Sequence, residues 1–160
     1  MGGAFRVAGN TGPVAEFNYF VDPHAAQMVL HSGIPVTIVP LDLTQQIVLM
    51  RTELERRAMR RSSTLSRTIM KMTRFYMTYH ERTEGFNGGF LHDPIAVAAA
   101  VRPELFRTHR LHVDIETKAE FTRGMSVADF RGKQKNSRVE VALQFDKEGF
   151  LRLFHERLWA

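Results

Sequence analysis

The sequence predicts an α/β fold, and three observations support this class. The run IPVTIVPLDL, from Ile34 to Leu43, is short, apolar and β-branched, which is typical of a strand buried on both faces. Segments with the apolar spacing of amphipathic helices follow it. The last third alternates apolar and polar residues, as half-buried strands do. Helices around a buried strand, followed by a more antiparallel end, indicate an α/β chain.

Composition is consistent with one globular domain. The chain has 160 residues, of which 44% are hydrophobic and 24% are charged. Cysteine is absent, which excludes disulfides and cysteine-based zinc sites and fits a reducing compartment. The N-terminus lacks the pattern of a secretory signal, and no apolar run is long enough to span a membrane. We therefore expect a cytoplasmic protein that does not bind membranes.

The first predicted helix follows a glycine- and asparagine-rich loop region. Asp22 is suited to cap this helix, Pro23 to its first position and Gly33 to the residue after its end. Met28 and Val29 lie inside it and are expected to face a core. The following strand should end near Val39, because Pro40 would remove a ladder hydrogen bond.

Two helices are predicted in the middle of the chain. Thr44 is the expected N-cap of one and Ser63 marks the start of the other. Their apolar stripes are Ile47, Met50, Leu54 and Ala58 in the first helix, and Leu65, Ile69, Met72 and Tyr76 in the second. Core packing is the simplest role for both stripes.

The remaining elements are predicted from punctuation and alternation. Gly85 to Gly89 indicates a loop, after which Asp93 and Pro94 are expected to cap and begin a helix over Ile95–Val101. Two alternating strands, 111–116 and 138–143, follow, with turns at Gly124 and Gly132. The chain should end in an amphipathic helix that carries Phe150, Leu151, Phe154 and Leu158.

Three groups of polar residues are candidates for chemistry. In the first, Asn10 and Glu16-Phe17-Asn18 place a carboxylate and two amides in a glycine-rich region, as a polyhydroxylated ligand requires. The second is His92-Asp93, which combines a proton-transfer group with a ligand for a hard cation. The third is Asp42 and Thr44, placed after the apolar strand. All three groups also suit turns and helix caps, and the residues alone leave both interpretations open.

The motifs resemble those of the inosine–uridine-preferring nucleoside hydrolase family. GNTGPVAEFNYFVDPHAA, from Gly9 to Ala26, resembles its GN…P.AEFN…DPEAA signature. Three further stretches resemble family segments in the same order: PVT…PLDLT within 35–44, GGFLHDPIAV within 88–97, and VDIE…GMSVADFRG within 113–132. The resemblance implies the C-terminal portion of a Rossmann-like fold, with an incomplete parallel sheet flanked by helices and a small antiparallel part, over residues 1–160.

The same resemblance implies a reaction and roles in it. The family hydrolyses the N-glycosidic bond of ribonucleosides, a reaction of nucleoside salvage, with calcium as the metal. The roles implied here are ribose binding by Asn10, Glu16, Phe17 and Asn18, activation of the leaving base by His92, and calcium ligation by Asp93. Met1 lies near the position of a ribose-packing methionine, with one additional residue before Asn10. The divergent stretch 45–87 would contact the base, through Tyr76, Tyr79, His80 and Arg82.

One family motif has no counterpart in this sequence. The DxDxxxDD signature, which supplies most calcium ligands and the general base, is absent, so the resemblance covers only the C-terminal half of the family. Asp93 alone would hold calcium poorly, because this ion prefers six to eight oxygen ligands. We therefore expect the isolated chain to be marginally stable and close to inactive, and to need a missing N-terminal half. The expected partner is this missing half or, in a homo-oligomer, a further copy of the chain.

Two alternatives to an enzyme remain open on the sequence. The chain could be a non-catalytic remnant or subunit that retains part of a ribose or nucleoside pocket. It could also bind nucleic acid through the basic residues between Arg51 and Arg74, which contribute to a net charge of +5. A solvated helix face explains that cluster equally, and the family resemblance favours a nucleoside over a nucleic-acid partner.

Overall fold

A computed structural model describes residues 1–132 and 139–159. Its strands are β1 (Val36–Ile38), β2 (Val48–Met50), β3 (Gly88–Phe90), β4 (Phe106–Arg110), β5 (Val113–Ile115), β6 (Ser126–Ala128) and β7 (Val139–Phe145). Its helices are α1 (Phe17–Val21), α2 (Pro23–His31), α3 (Leu41–Thr44), α4 (Arg51–Arg60), α5 (Thr64–Thr83), α6 (His92–Val101) and α7 (Lys147–Trp159). A short 3₁₀ turn, Pro103–Leu105, precedes β4.

A three-stranded mixed sheet forms the centre of the described chain, in the order β1-β7-β4. β1 pairs with β7 in parallel, with Val36 opposite Val139, and β4 pairs with β7 in antiparallel fashion. Two smaller antiparallel pairs, β2 with β3 and β5 with β6, lie outside this sheet. The predicted α/β class, with one parallel pairing and an antiparallel C-terminal part, is confirmed.

Two apolar clusters form the core, and strand alternation divides β7 between them. In β7, Val141 belongs to the cluster with Leu30 and Ile115, whereas Ala142 belongs to the cluster with Leu43 and Phe150. Consecutive side chains of a strand point to opposite faces, so the central sheet is covered on both sides. The larger cluster contains side chains of α4, α5, α6 and α7 together with Leu43 of α3, which is fully buried.

Several predicted element boundaries are confirmed. Asp22 caps α2 by accepting a hydrogen bond from the backbone N–H of Ala25 at 2.9 Å, and Pro23 is its first residue. Gly33 follows the helix with φ of +80°, a conformation that an L side chain would strain. Ser63 caps α5 through the N–H of Ser66 at 3.0 Å. The final helix and its buried Phe150 are also as predicted, while Arg138 of the last predicted strand lies outside the described residues.

The predicted helix from Thr44 was wrong. Thr44 is the last residue of α3, and β2 then intervenes before α4 begins at Arg51. Ile47 and Leu49 are buried because β2 pairs with β3, a strand that begins 38 residues further on within the predicted Gly85–Gly89 loop. The apolar residues with helical spacing therefore belong to two elements, the strand β2 and the helix α4. Local periodicity does not distinguish this arrangement from one continuous helix.

The predicted start of α6 was also wrong. The helix begins at His92, with Leu91 as an N-cap that makes no side-chain hydrogen bond. Asp93 lies in the first turn, where a negative charge interacts favourably with the positive end of the helix dipole. Pro94 is tolerated there because the first N–H groups of a helix have no intrahelical partner.

Some apolar residues assigned to a core are exposed. Met28 and Val29 are 74% and 48% exposed, and Leu30 is the residue of α2 that enters the core. In α5, Leu65 and Met72 are exposed, and the buried side chains are Ser66, Met77 and His80. In the part of the chain that the structure describes, no helix is both long and apolar enough to cross a bilayer.

Truncation of Ile95 should destabilise the fold strongly. Ile95 of α6 is fully buried in the larger cluster, so Ile95→Ala should lower the free energy of unfolding by about 2–5 kcal/mol. Val97 lies in the same helix and is 61% exposed, so the control Val97→Ala should change it by less than about 0.5 kcal/mol. Urea unfolding followed by circular dichroism measures both values. Equal effects of the two variants would contradict this core assignment.

Candidate functional site

The first residues of the chain form a buried segment whose backbone N–H groups are all paired with other parts of the chain. Gly2, Gly3 and Ala4 are buried. The acceptors are the carbonyl of Val39 for Gly2, Glu16 Oε2 for Gly3, Ser126 Oγ for Ala4, and the two Asp42 carboxylate oxygens for Phe5 and Arg6. In the other direction, the N–H of Leu41 donates to Gly3 at 2.9 Å and the hydroxyl of Ser126 donates to Ala4 at 2.8 Å. The segment therefore ties together three distant parts of the chain.

Glu16 is the buried anchor of this region, with 1% of its surface exposed. It is the N-cap of α1: Oε1 accepts from the N–H of Asn18 at 2.9 Å and Oε2 from that of Tyr19 at 3.2 Å. Oε2 also accepts from Gly3 at 3.1 Å. Hydrogen bonds to an ionised carboxylate are stronger than neutral ones, so this arrangement fixes the start of α1. The structure gives Glu16 this capping role, and its role in ribose binding stays a prediction.

The other residues predicted to bind ribose surround the same helix start. Asn10 Oδ1 accepts a hydrogen bond from the N–H of Phe17 at 2.9 Å, and the Phe17 ring is 56% exposed. Asn18 Nδ2 donates to the carbonyl oxygen of Met1 at 3.3 Å and lies 3.4 Å from its sulfur. Asn10, Glu16, Phe17 and Asn18 are thus brought together, with polar groups at the surface beside an exposed aromatic ring.

Gly9 is required for the turn that delivers Asn10. A Cβ atom at this position would lie 2.2 Å from the carbonyl oxygen of Ala15, which no side chain could tolerate. The N–H of Gly9 donates to Pro13, and Thr11 forms a bridge with Ala15. The Gly-Asn pair therefore has a local structural cause: the glycine lets the chain fold back on itself and directs Asn10 to the N-terminus of α1.

His92 is the first residue of α6 and contacts α3. Its Nδ1 lies 2.7 Å from the hydroxyl oxygen of Thr44, a hydrogen bond between two partly or fully buried groups. Its ring lies 5.3 Å from that of Phe90, between centroids. Burial lowers the pKa of His92 to about 4, although the nearby charge of Asp93 opposes this shift. The ring is therefore neutral at neutral pH.

Asp93 lies beside His92 but does not assemble a metal site with its neighbours. In residues 1–132 and 139–159, no group of three or more histidine, aspartate or glutamate side chains is placed to hold a metal ion. The Asp93 side chain is exposed. Its charge, together with burial as the larger cause, raises the pKa of Tyr76 to about 12. In the part of the chain that the structure describes, Asp93 therefore does not belong to a group of three or more side chains that could hold a cation.

Aromatic residues of α5 contact Phe90, whose ring packs against His92. Tyr76 donates its hydroxyl hydrogen to the carbonyl of Phe90 at 3.2 Å, and the buried His80 packs against Tyr76 at 4.3 Å between ring centroids. Phe90 contacts both His80 and His92. Of the residues predicted to contact a base, Tyr76 and His80 therefore both contact Phe90, the ring beside His92, whereas Tyr79 and Arg82 are exposed.

α3 links the two parts of the candidate site through Asp42 and Thr44, the third candidate group of the sequence. Asp42 accepts hydrogen bonds from Phe5 and Arg6, on the side of the ribose-binding candidates, and Thr44 contacts His92. Thr44 is fully buried and does not cap a following helix. The position of both residues directly after a buried strand made them candidates, whereas their partners, the N-terminal segment and His92, are distant in sequence and were not predicted.

Comparison with known proteins identifies relatives along almost the whole chain. The family model described as inosine-uridine preferring nucleoside hydrolase matches residues 1–152. The pyrimidine-specific ribonucleoside hydrolase RihA of Enterobacter sp. (strain 638) is 39% identical over 163 residues, which cover 99% of this chain and 50% of RihA. RihA of Salmonella enteritidis PT4 is 40% identical, with 99% and 51% covered. The chain therefore spans about half the length of the curated relatives it matches.

Solved structures give the same result for the fold. A purine-preferring ribonucleoside hydrolase from Gardnerella vaginalis superposes with a TM-score of 0.88 at 33% identity, covering 99% of this chain and 50% of that protein. The plant nucleoside hydrolase PpNRh1 superposes with a TM-score of 0.91 at 30% identity, covering 99% and 52%. The predicted correspondence with the C-terminal part of this fold is confirmed.

Neutralisation of Glu16 should destabilise the protein. Glu16→Gln replaces a carboxylate oxygen by an NH₂ group, which cannot accept the hydrogen bonds that Glu16 receives from backbone donors. A buried donor left without its acceptor costs about 1–3 kcal/mol, so the free energy of unfolding should fall by at least that amount. Glu120→Gln makes the same chemical change at an exposed position and should have little effect. Urea unfolding measures the free energy of unfolding of both variants. Similar values for the two would show that the Glu16 cap contributes little to stability.

Proposed function

The chain belongs to the inosine–uridine preferring nucleoside hydrolase family, and from this membership we propose that its residues take part in N-glycosidic hydrolysis of ribonucleosides. The products would be ribose and the free base. The observation that carries the proposal is the family match over residues 1–152, which contains every residue of the candidate site. We propose further that residues 1–160 are one part of a hydrolase domain whose remaining part lies outside this chain.

Ribose would be held at the start of α1. Asn18 and Asn10 offer amide groups beside the N-terminal segment, and the exposed Phe17 ring offers an apolar surface next to them. Amides can both donate to and accept from sugar hydroxyls, and an aromatic ring shields a developing oxocarbenium ion from water. The Glu16 cap keeps these groups in place, and we propose that its carboxylate also faces the 5′-hydroxyl side of the sugar.

The leaving base would lie at His92. Departure of the base is easier when its developing negative charge is neutralised by a hydrogen-bond or proton donor. His92 lies at the start of α6, beside the ring of Phe90 and within the aromatic environment of Tyr76. The pyrimidine-specific and purine-preferring names of the relatives differ, so we propose a ribonucleoside substrate without assigning its base.

The calcium ion expected from the family is not accommodated by the described residues alone. No group of three or more carboxylate or histidine ligands is assembled in residues 1–132 and 139–159, so a hard cation bound by Asp93 would need further oxygen ligands. We propose Asp93 as one of the ligands of such a completed site and derive no catalytic step through the metal. A cytoplasmic location and an absence of membrane and nucleic-acid partners also stay proposals, as does assembly into homo-oligomers.

A chimera tests the proposed activity. The chimera consists of the first half of Salmonella enteritidis RihA fused before this chain. It should hydrolyse uridine, cytidine or inosine, whereas the chain alone should release no detectable ribose. RihA itself is the positive control. An inactive but folded chimera would contradict the proposal, and activity of the isolated chain would contradict the requirement for residues outside it.

A substitution at His92 tests the role of the base-side residue. In the chimera, His92→Ala should lower kcat for nucleosides by about 10²–10⁴-fold, the usual contribution of a positioned acid–base group. Nitrophenolate leaves a riboside without the help of an acid, so kcat for a nitrophenyl riboside should fall much less. An equal loss for both substrates would assign His92 to ribose binding or to folding instead.

The alternative function is binding without hydrolysis. It is favoured by the ribose-side residues, which are gathered in one place, while no metal-binding group is assembled in the described residues. Isothermal titration of the isolated chain with ribose and inosine measures this directly. Heat of binding together with an inactive chimera would favour a non-catalytic ribose-binding subunit.

A further inference from the structure

The Thr44 hydroxyl is a fully buried polar group with a single hydrogen-bond partner among the described residues. Thr44 is 0% exposed, and its Oγ1 lies 2.7 Å from Nδ1 of His92. Its backbone N–H donates to Pro40, so the main chain of Thr44 is satisfied independently of the side chain. The question is therefore which of the two groups, the Thr44 hydroxyl or Nδ1 of His92, donates the hydrogen in this bond.

Comparison with other threonines shows which atom carries the hydrogen. Thr73, Thr78 and Thr83 of α5 each donate their hydroxyl hydrogen to the backbone carbonyl four residues earlier. Thr44 makes no such bond within the described chain. If His92 donated from Nδ1, the Thr44 hydroxyl hydrogen would be buried without an acceptor, which costs about 1–3 kcal/mol. Donation from Thr44 to Nδ1 avoids that cost.

We propose that Thr44 is a positioning residue that donates its hydroxyl hydrogen to Nδ1 of His92, so that the ring carries its own hydrogen on Nε2. A neutral imidazole has one donor and one acceptor nitrogen, so fixing Nδ1 as the acceptor makes Nε2 the donor. Nε2 is the nitrogen that α3 does not engage. The assignment of the hydrogen rests on the geometry of α3 and α6 alone.

The consequence for the substrate rests on the proposed function. A ring that donates from Nε2 recognises a hydrogen-bond acceptor on the leaving base, such as N3 or N7 of a purine or O2 of a pyrimidine. It would not pair with an exocyclic amino group, which is itself a donor. Thr44 thus makes His92 selective for the acceptor edge of the base, without contacting the base itself.

Nitrogen-15 spectroscopy of the histidine rings tests the assignment in the chain as it exists. Long-range ¹H–¹⁵N spectra at about pH 8, where histidine rings are neutral, distinguish a protonated from an unprotonated ring nitrogen. His92→Gln identifies the His92 signals by their loss. We expect an unprotonated Nδ1 and a protonated Nε2 for His92. A protonated Nδ1 would overturn the proposal, and this spectrum of the unchanged protein needs no variant of Thr44.

Two substitutions of Thr44 separate positioning from packing. Thr44→Val keeps the shape but removes the donor, so the Nδ1 signal of His92 should shift, while His80, whose Nδ1 contacts the carbonyl of Tyr76, should not change. Thr44→Ser keeps the hydroxyl and should restore the signal. An unchanged Nδ1 signal in folded Thr44→Val would overturn the proposal. If Thr44→Val does not fold, the spectra of the unchanged protein and of Thr44→Ser decide.

Kinetics of the chimera distinguish failure of this proposal from failure of the proposed function. Thr44→Val should lower kcat for nucleosides by about tenfold, the equivalent of one hydrogen bond, with little change in KM, and Thr44→Ser should retain activity. An inactive chimera with the expected ring signals would contradict only the proposed function. An active chimera with a protonated Nδ1 would contradict only the role of Thr44.

Discussion

The pairing of the backbone N–H groups of residues 2–6, of which the first three residues are buried, is the constraint on which the candidate site depends. This segment is not part of a described strand, so its donors need acceptors from elsewhere in the chain. Glu16, Asp42 and Ser126 provide them, and the last of these is 122 residues from its partner Ala4. Loss of Glu16 or Ser126 would leave a buried donor, Gly3 or Ala4, unpaired. The segment thus holds α1, α3 and β6 in fixed relation before any ligand binds.

α3 extends this constraint to His92. Side chains two positions apart in a helix point to nearly opposite sides, because one turn contains 3.6 residues. Asp42 therefore faces the N-terminal segment and Thr44 faces α6, although only Leu43 separates them. Leu43 itself is fully buried in the larger core cluster. A four-residue helix, too short to be stable alone, is held by this core and sets the relative position of the proposed ribose and base sides.

Local chemistry allowed much of the fold to be predicted from the sequence. Asp22 and Ser63 are correct caps because capping needs only a side-chain oxygen and the next few N–H groups. Thr44 and the β2 strand were misassigned for the opposite reason. The partner of β2 lies 38 residues further along, and periodicity within one segment contains no information about such a partner. The predicted burial of Met28 was wrong for a similar reason, since the sequence of a helix does not show whether another element covers an apolar residue on it.

The two sides of the candidate site differ in what holds them, and this explains which residues the motifs could reveal. On the ribose side, backbone donors require specific acceptors, so Glu16 and Asp42 stand in recognisable strings of residues. On the base side, Tyr76, His80 and Phe90 are held mainly by ring contacts, which several aromatic or apolar residues could replace. His92 is the exception there, because its Nδ1 requires a buried polar partner. Substitutions among these rings would therefore change the shape of the proposed base side while leaving the contact between Thr44 and His92 in place.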